Sequence, residues 1–138
     1  MSALVLDTHI LVWLVDGDRT LPPSVVAAIE LSALQNAVFV SAITPWEIAM
    51  LVAKGRLTLT RDVRQWIDEA LSQPGIKLAP LEPAIAVASS RLPGDLHDDP
   101  ADRIIVATAR HLGARLVTVD ERLLAYGAAG HVALLHDA

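Results

Sequence analysis

Two hydrophobic periods alternate along this chain, and that alternation constrains its fold more than any other feature. Short apolar, often β-branched runs occur at Ala3–Leu6, Ala37–Val40, Ile76–Ala79, Leu116–Val119 and Val132–Leu135. They read as strands of a parallel sheet covered on both faces. The stretches between them have helical period. In Arg61–Ser72 the apolar residues Val63, Trp66, Ile67, Ala70 and Leu71 form one stripe. Pro22 and Pro23 introduce a second helix over Ser24–Ala33, and Ile104–Leu112 forms a third. The order strand, helix, strand predicts an α/β sandwich with crossover helices. At 138 residues the chain suits one domain, 1–138, with no repeat or linker. The long irregular stretch Leu92–Pro100 carries Pro, Gly and three Asp, and long loops in compact domains tend to be functional.

Hydrophobic residues make up 53% of the chain, but no run approaches the roughly 18 residues of a membrane span. No basic segment precedes the first apolar run, and Asp7 interrupts that run, so a signal peptide is not expected. Without cysteine there is neither a disulfide framework nor a thiolate metal site. A cytoplasmic protein without a membrane anchor is the expectation. The net charge of −5 argues against simple electrostatic capture of nucleic acid. Setting aside the four acids discussed next leaves 12 acidic against 11 basic residues, which makes the remaining surface nearly neutral.

Those four acids share one address in the expected sheet. Asp7 ends the first strand and opens a helix. Glu47 lies just inside the helix after the second strand. Asp102 begins the helix leading into the fourth strand, and Asp120 ends that strand. In a parallel α/β sheet, strand C-termini and helix N-termini lie on the same edge, where such folds bind ligands. Four carboxylates gathered there repel one another and stay ionised together only around a cation. An all-oxygen set suits hard ions, Mg²⁺ or Mn²⁺, and such a site can activate water and stabilise the leaving oxygen of a phosphodiester. Each acid also fits a helix cap. Thr44-Pro45-Trp46-Glu47 has the layout of a capping box with Thr44 as N-cap, and Asp99-Pro100-Ala101-Asp102 is similar. Asp7 and Asp120 fit as N-caps too.

His9, His97, His111, His131 and His136 have no ligand spacing among themselves. His9, at an apolar helix start, reads as structural. His97, beside Asp98 and Asp99, is the one kept as an auxiliary polar group. No glycine-rich phosphate loop or nucleophile elbow is present. Trp13, Trp46 and Trp66 lie in helical stripes and read as core or interface.

The segments LDTHILVWLV (6–15), SAITPWEIA (41–49), HDDPADRIIVATA (97–109) and LVTVDERL (116–123) resemble, in order and spacing, the four blocks of PIN-domain proteins. More narrowly, they resemble VapC-type toxins, and the intervening KGRLTL (54–59) fits as well. The resemblance runs nearly end to end. It implies a three-layer α/β/α fold with a five-stranded parallel sheet, and it places the family's acidic positions on Asp7, Glu47, Asp102 and Asp120. Thr8, Ser41 and Thr118 match small hydroxyl residues that hydrogen-bond the ligands or their waters. Asp99 matches an often acidic position and reads as support behind the ligands or as an N-cap. Arg103 is placed to contact phosphate or pair with an acid. Relatives frequently carry lysine where this chain has Leu51, and Lys54, almost one turn later, is a candidate substitute for substrate contact.

The resulting expectation is an Mg²⁺- or Mn²⁺-dependent endoribonuclease, the toxin of a toxin–antitoxin pair. Its implied partners are RNA, a small antitoxin laid near the acids, and a second copy of the chain in a homodimer. Two alternatives stay open: a non-catalytic PIN-like binding module, and an acid-rich α/β phosphatase or phosphotransfer domain. The latter is disfavoured because position 9 is His where a second Asp would be wanted.

Overall fold

In the computed structural model, which describes residues 3–135, strands and helices alternate as the periodicity requires. Strand β1 (Leu4–Leu6) leads into α1 (Thr8–Asp16) and α2 (Pro23–Ala33). Strand β2 (Val38–Ser41) is followed by α3 (Ile43–Ala53) and α4 (Val63–Leu71). Then come β3 (Ile76–Ala79), α5 (Pro83–Ser89), α6 (Pro100–Leu112), β4 (Arg115–Val117) and α7 (Glu121–Ala128). All pairings are parallel and the order is β3-β2-β1-β4.

The sheet is two-sided because successive side chains of a strand face opposite ways. Leu4 and Leu6 of β1 pack with Ile10, Ile29, Ile48 and Trp66 from α1–α4. Val5, between them, packs with Ile105, Val106 and Leu123 from α6 and α7 on the other face. The three-layer architecture follows from that alternation. Trp66, at the centre of the predicted stripe, is fully buried, and its Nε1–H donates to Asp16 Oδ1 at 3.0 Å, tying α4 to the end of α1. The helix expected at Ser24–Ala33 begins one residue earlier, with Pro23 inside its first turn, where the missing N–H costs nothing.

Among the described residues four strands are formed where five were expected. At Val132–Leu135 only Leu134 pairs, with Leu116, through Leu116 N–H to Ala133 O (2.8 Å) and Leu135 N–H to Leu116 O (2.9 Å). The partner strand β4 is itself only Arg115–Val117, and the carbonyl of His131, just before the bridge, is taken by Arg110. The apolar run is real and Val132 and Leu134 are buried, but little ladder is left to extend. Helix α5 was not read from the sequence. Its short apolar run buries mainly Ile85. Among the described residues, no helix is long and apolar enough to cross a membrane.

Candidate active site

The strand order creates the site. From β1 the chain steps outward through β2 to β3, then returns to place β4 on the other side of β1. Ligands of open α/β sheets bind outside the strand C-termini at such a reversal. Leu6 is in register with Val40 on one side and Val117 on the other, so the next residues, Asp7, Ser41 and Thr118, emerge together at that edge. The Asp7 amide donates to Val117 O at 2.9 Å, and Thr118 Oγ1 donates to Asp7 Oδ2 at 2.7 Å. Thr8 N–H holds the other oxygen at 2.9 Å. Asp7 is thus the N-cap of α1 and a buried, oriented carboxylate at once.

Glu47 approaches from α3. Its position corrects the capping-box expectation: α3 begins at Ile43 with Ala42 as an N-cap that makes no side-chain bond. Thr44 is therefore inside the first turn, buried, with its hydroxyl 3.2 Å from Thr8 Oγ1. Thr8 Oγ1 donates to Glu47 Oε1 at 2.5 Å, so Glu47 reaches into the site and not back to its own helix start. Pro45 explains the shift, because proline is accepted anywhere among the first-turn N–H groups that have no helical partner. Thr44 is a site hydroxyl that the cap reading concealed.

Asp99 and Asp102 come from α6. Asp99 is the N-cap, accepting from Asp102 N–H at 2.9 Å. Asp102 does not complete a capping box; its Oδ2 lies 2.6 Å from His97 Nε2. His97 is largely buried, and its Nδ1 has no partner among the described residues. Oxygen atoms of Glu47, Asp99 and Asp102 lie within 4.8 Å of one another, which puts Asp99 among the candidate ligands and not only behind them. Asp120 caps α7, accepting from Arg122 N–H (2.8 Å) and Leu123 N–H (3.2 Å). It stands beside Asp7, whose carboxyl its charge affects.

The electrostatics bind these acids into one site. Burial pushes the carboxyls of Asp7, Glu47 and Asp102 above their ordinary values. Neighbouring charges add to this: Asp7, Asp102 and Asp99 act on Glu47, and Asp7 and Asp99 act on Asp102. Hydrogen bonds from Thr118 to Asp7, Thr8 to Glu47 and His97 to Asp102 oppose the shift without cancelling it. Hard-oxygen donors that resist joint ionisation fit a divalent cation, whose charge would reverse the penalty.

Other expected residues are placed differently. The buried Ser41 hydroxyl accepts from Ile43 N–H at 3.2 Å, shaping the turn into α3. Arg103 gives its guanidinium to the carbonyls of Ser89 (2.9 Å), Leu96 (2.8 Å) and His97 (3.4 Å), so it fastens the 90–99 segment in place of meeting phosphate or acid. Lys54 is the exposed C-cap of α3, about 10 Å along the helix axis from Glu47. His9 is exposed, its ring tilted over Trp13 at 6.1 Å, and not structural as expected. Trp46, also exposed, is not core. His136 lies outside the described residues.

A three-layer fold with carboxylates converging on its switch point defines a class of acid-dependent α/β proteins. Within that class, the PIN-domain family model matches residues 4–129. The chain is 32% identical over 123 residues to Ribonuclease VapC22 of Mycobacterium tuberculosis, covering 89% of this chain and 91% of that one. It is similar in structure to VapBC2 from Rickettsia felis bound to a promoter DNA fragment (TM-score 0.71, 20% identity, 96% and 97% of the two chains). It also resembles a toxin–antitoxin complex from Klebsiella pneumoniae (TM-score 0.59, 25% identity, 88% and 90%). The chain belongs to the PIN-domain family.

Proposed function

We propose that this chain is a divalent-metal-dependent endoribonuclease, the toxin of a toxin–antitoxin pair, which hydrolyses RNA phosphodiester bonds. The observation that carries the reading is the convergence of Asp7, Glu47, Asp99, Asp102 and Asp120 on the switch point, with three of the carboxyls held above their ordinary values. The similarity to a ribonuclease supplies the substrate class.

Glu47, Asp102 and Asp99 would hold Mg²⁺ or Mn²⁺, with Asp7 closing the site from the sheet and Asp120 beside it. When bound, the ion supplies Lewis-acid stabilisation of charge on the phosphoryl group and eases deprotonation of the attacking water. The chain's own residues fix the geometry. Thr8 orients Asp7 and Glu47, Thr118 orients Asp7, and His97 orients Asp102, so the carboxylates need little rearrangement during reaction. The neighbouring toxin–antitoxin complex supports a small antitoxin as partner. Exposed Leu31, Leu34, Trp46 and Leu78 offer apolar surface for the antitoxin and for a second copy in a homodimer.

Binding stabilises the folded state by mass action. Mn²⁺ is therefore expected to raise the melting temperature of the wild type clearly more than that of an Asp7→Asn/Asp102→Asn variant. In parallel, purified wild type is expected to cleave RNA with Mg²⁺ or Mn²⁺ and to stop when chelator is added. Equal thermal shifts in both proteins, or cleavage that survives chelation, would contradict the reading.

A further inference from the structure

Beside the carboxylates lies a second concavity that the catalytic reading leaves unused. It is a cleft of about 460 Å³ between residues 94–97 and α7, lined by Gly94, Asp95, His97, Arg122, Tyr126 and His131 among others. Its volume falls within the range of small-molecule and cofactor sites. Both walls join the acidic site. His97 is shared, with Nε2 2.6 Å from Asp102 Oδ2, and the backbone of Arg122 donates to Asp120 Oδ1 at 2.8 Å.

The walls are fixed although one of them is a loop. Tyr126 OH donates to Pro93 O, Arg110 donates to His131 O, and Arg103 holds Leu96 O and His97 O. The rings of Tyr126 and His131 lie 4.9 Å apart. Gly94, at φ +67°, lets the His131 imidazole close down on the loop: a Cβ there would stand 2.4 Å from His131 Nε2. Against this rigid frame, the exposed Arg122 guanidinium makes no hydrogen bond or ion pair with any described residue, even though Asp120 is two positions away.

We propose that this cleft is a ribonucleotide subsite, seating the nucleotide next to the scissile phosphate. Arg122 pairs with that nucleotide's phosphate, the partly exposed His131 ring, backed by the buried Tyr126, lies against its base, and Asp95 accepts from an exocyclic amine. Single-stranded RNA is read in this way, by stacking unstacked bases on rings and hydrogen-bonding their edges. Planar guanidinium groups suit phosphate oxygens. The inference rests on the endoribonuclease reading and adds to it a source of cleavage-sequence preference. It also supplies the positive charge that the chain's acidic balance leaves scarce near the site.

The test compares wild type, Arg122→Gln and His131→Ala on a randomised single-stranded RNA oligonucleotide pool, with Mn²⁺ thermal shifts recorded alongside. Losing one charge-assisted contact is expected to raise KM for Arg122→Gln about tenfold or more, with kcat and the Mn²⁺ shift little changed. In the Asp7→Asn background, which reports binding without turnover, the salt dependence of RNA affinity should flatten by about 0.7 in log–log slope for one lost phosphate contact. His131→Ala should blur the nucleotide preference at the position flanking the cut. Wild-type KM, salt slope and cut pattern in both variants would overturn the subsite alone. An Arg122→Gln defect confined to antitoxin binding would also overturn it, assigning the cleft to a protein partner. Wild type that leaves RNA intact would contradict the nuclease reading itself, and the subsite with it.

Discussion

Thr8 shows how much of this site depends on single hydroxyl groups. Its amide holds Asp7, its Oγ1 holds Glu47 at 2.5 Å, and the buried Thr44 hydroxyl lies 3.2 Å away. Thr118 does the same for Asp7 from the end of the neighbouring strand β4. Replacing such a partner of a metal-binding carboxylate costs about 10–100-fold in metal affinity or activity. Thr118→Val should therefore weaken Mn²⁺ affinity on that scale in isothermal titration, while the isosteric side chain keeps the fold. Asp99→Asn separates two roles. Asparagine caps as well as aspartate, so the melting temperature without metal should hold or rise, since a charge acting on Glu47 and Asp102 is gone, while Mn²⁺ affinity falls because one of three clustered carboxylates is lost. Unchanged affinity would return Asp99 to capping alone. The placement of Asp7, Glu47, Asp102 and Asp120 at one edge was legible in the sequence because each follows a strand or lies near a helix start. Thr44 beside Thr8 and the approach of Asp99 to Glu47 and Asp102 were not, because a cap and a site residue share the same local sequence. Only tertiary approach separates them.

At the scale of elements, the segment between α5 and α6 carries both His97 and Asp99 and is held from behind by Arg103. Arg103→Ala should speed amide hydrogen exchange in residues 94–99 and lower activity, while α1 and the sheet stay protected. Slow exchange there in the variant would show that Tyr126 and Gly94 hold the segment unaided. The helices expected at Arg61–Ser72 and Ile104–Leu112 were legible from their helical period, although α4 spans Val63–Leu71 and α6 starts four residues earlier, at Pro100, and the sheet was legible from its short apolar runs. The fifth strand was not correctly legible. An apolar run signals burial, and Val132 and Leu134 are buried, but pairing needs a partner of matching length, and β4 spans three residues.

For the whole molecule, the concentration of acids sets a pH dependence with a definite sign. Burial, reinforced by neighbouring charge, raises the carboxyls of Asp7, Glu47 and Asp102, so the folded state favours their protonated forms. Their contribution to stability is fully present below the unfolded carboxyl value and is lost as pH rises through the raised folded values. In chelator, Asp7→Asn should therefore melt higher than wild type at pH 7, and its advantage should shrink as pH falls toward 4. An advantage that grows on acidification would contradict the raised Asp7. Saturating Mn²⁺ should remove or reverse the difference at pH 7, since the wild type then gains the cation's charge. The parallel sheet supplies the edge, and the edge concentrates charge that a bound cation would relieve. The central claim is that this carboxylate edge cleaves RNA, and mapping RNA ends in cells expressing the wild type or Asp7→Asn at matched protein levels tests it most directly. New, defined RNA ends accompanied by growth arrest with the wild type, both absent with Asp7→Asn, are the predicted result; the same ends and the same arrest with Asp7→Asn would contradict it.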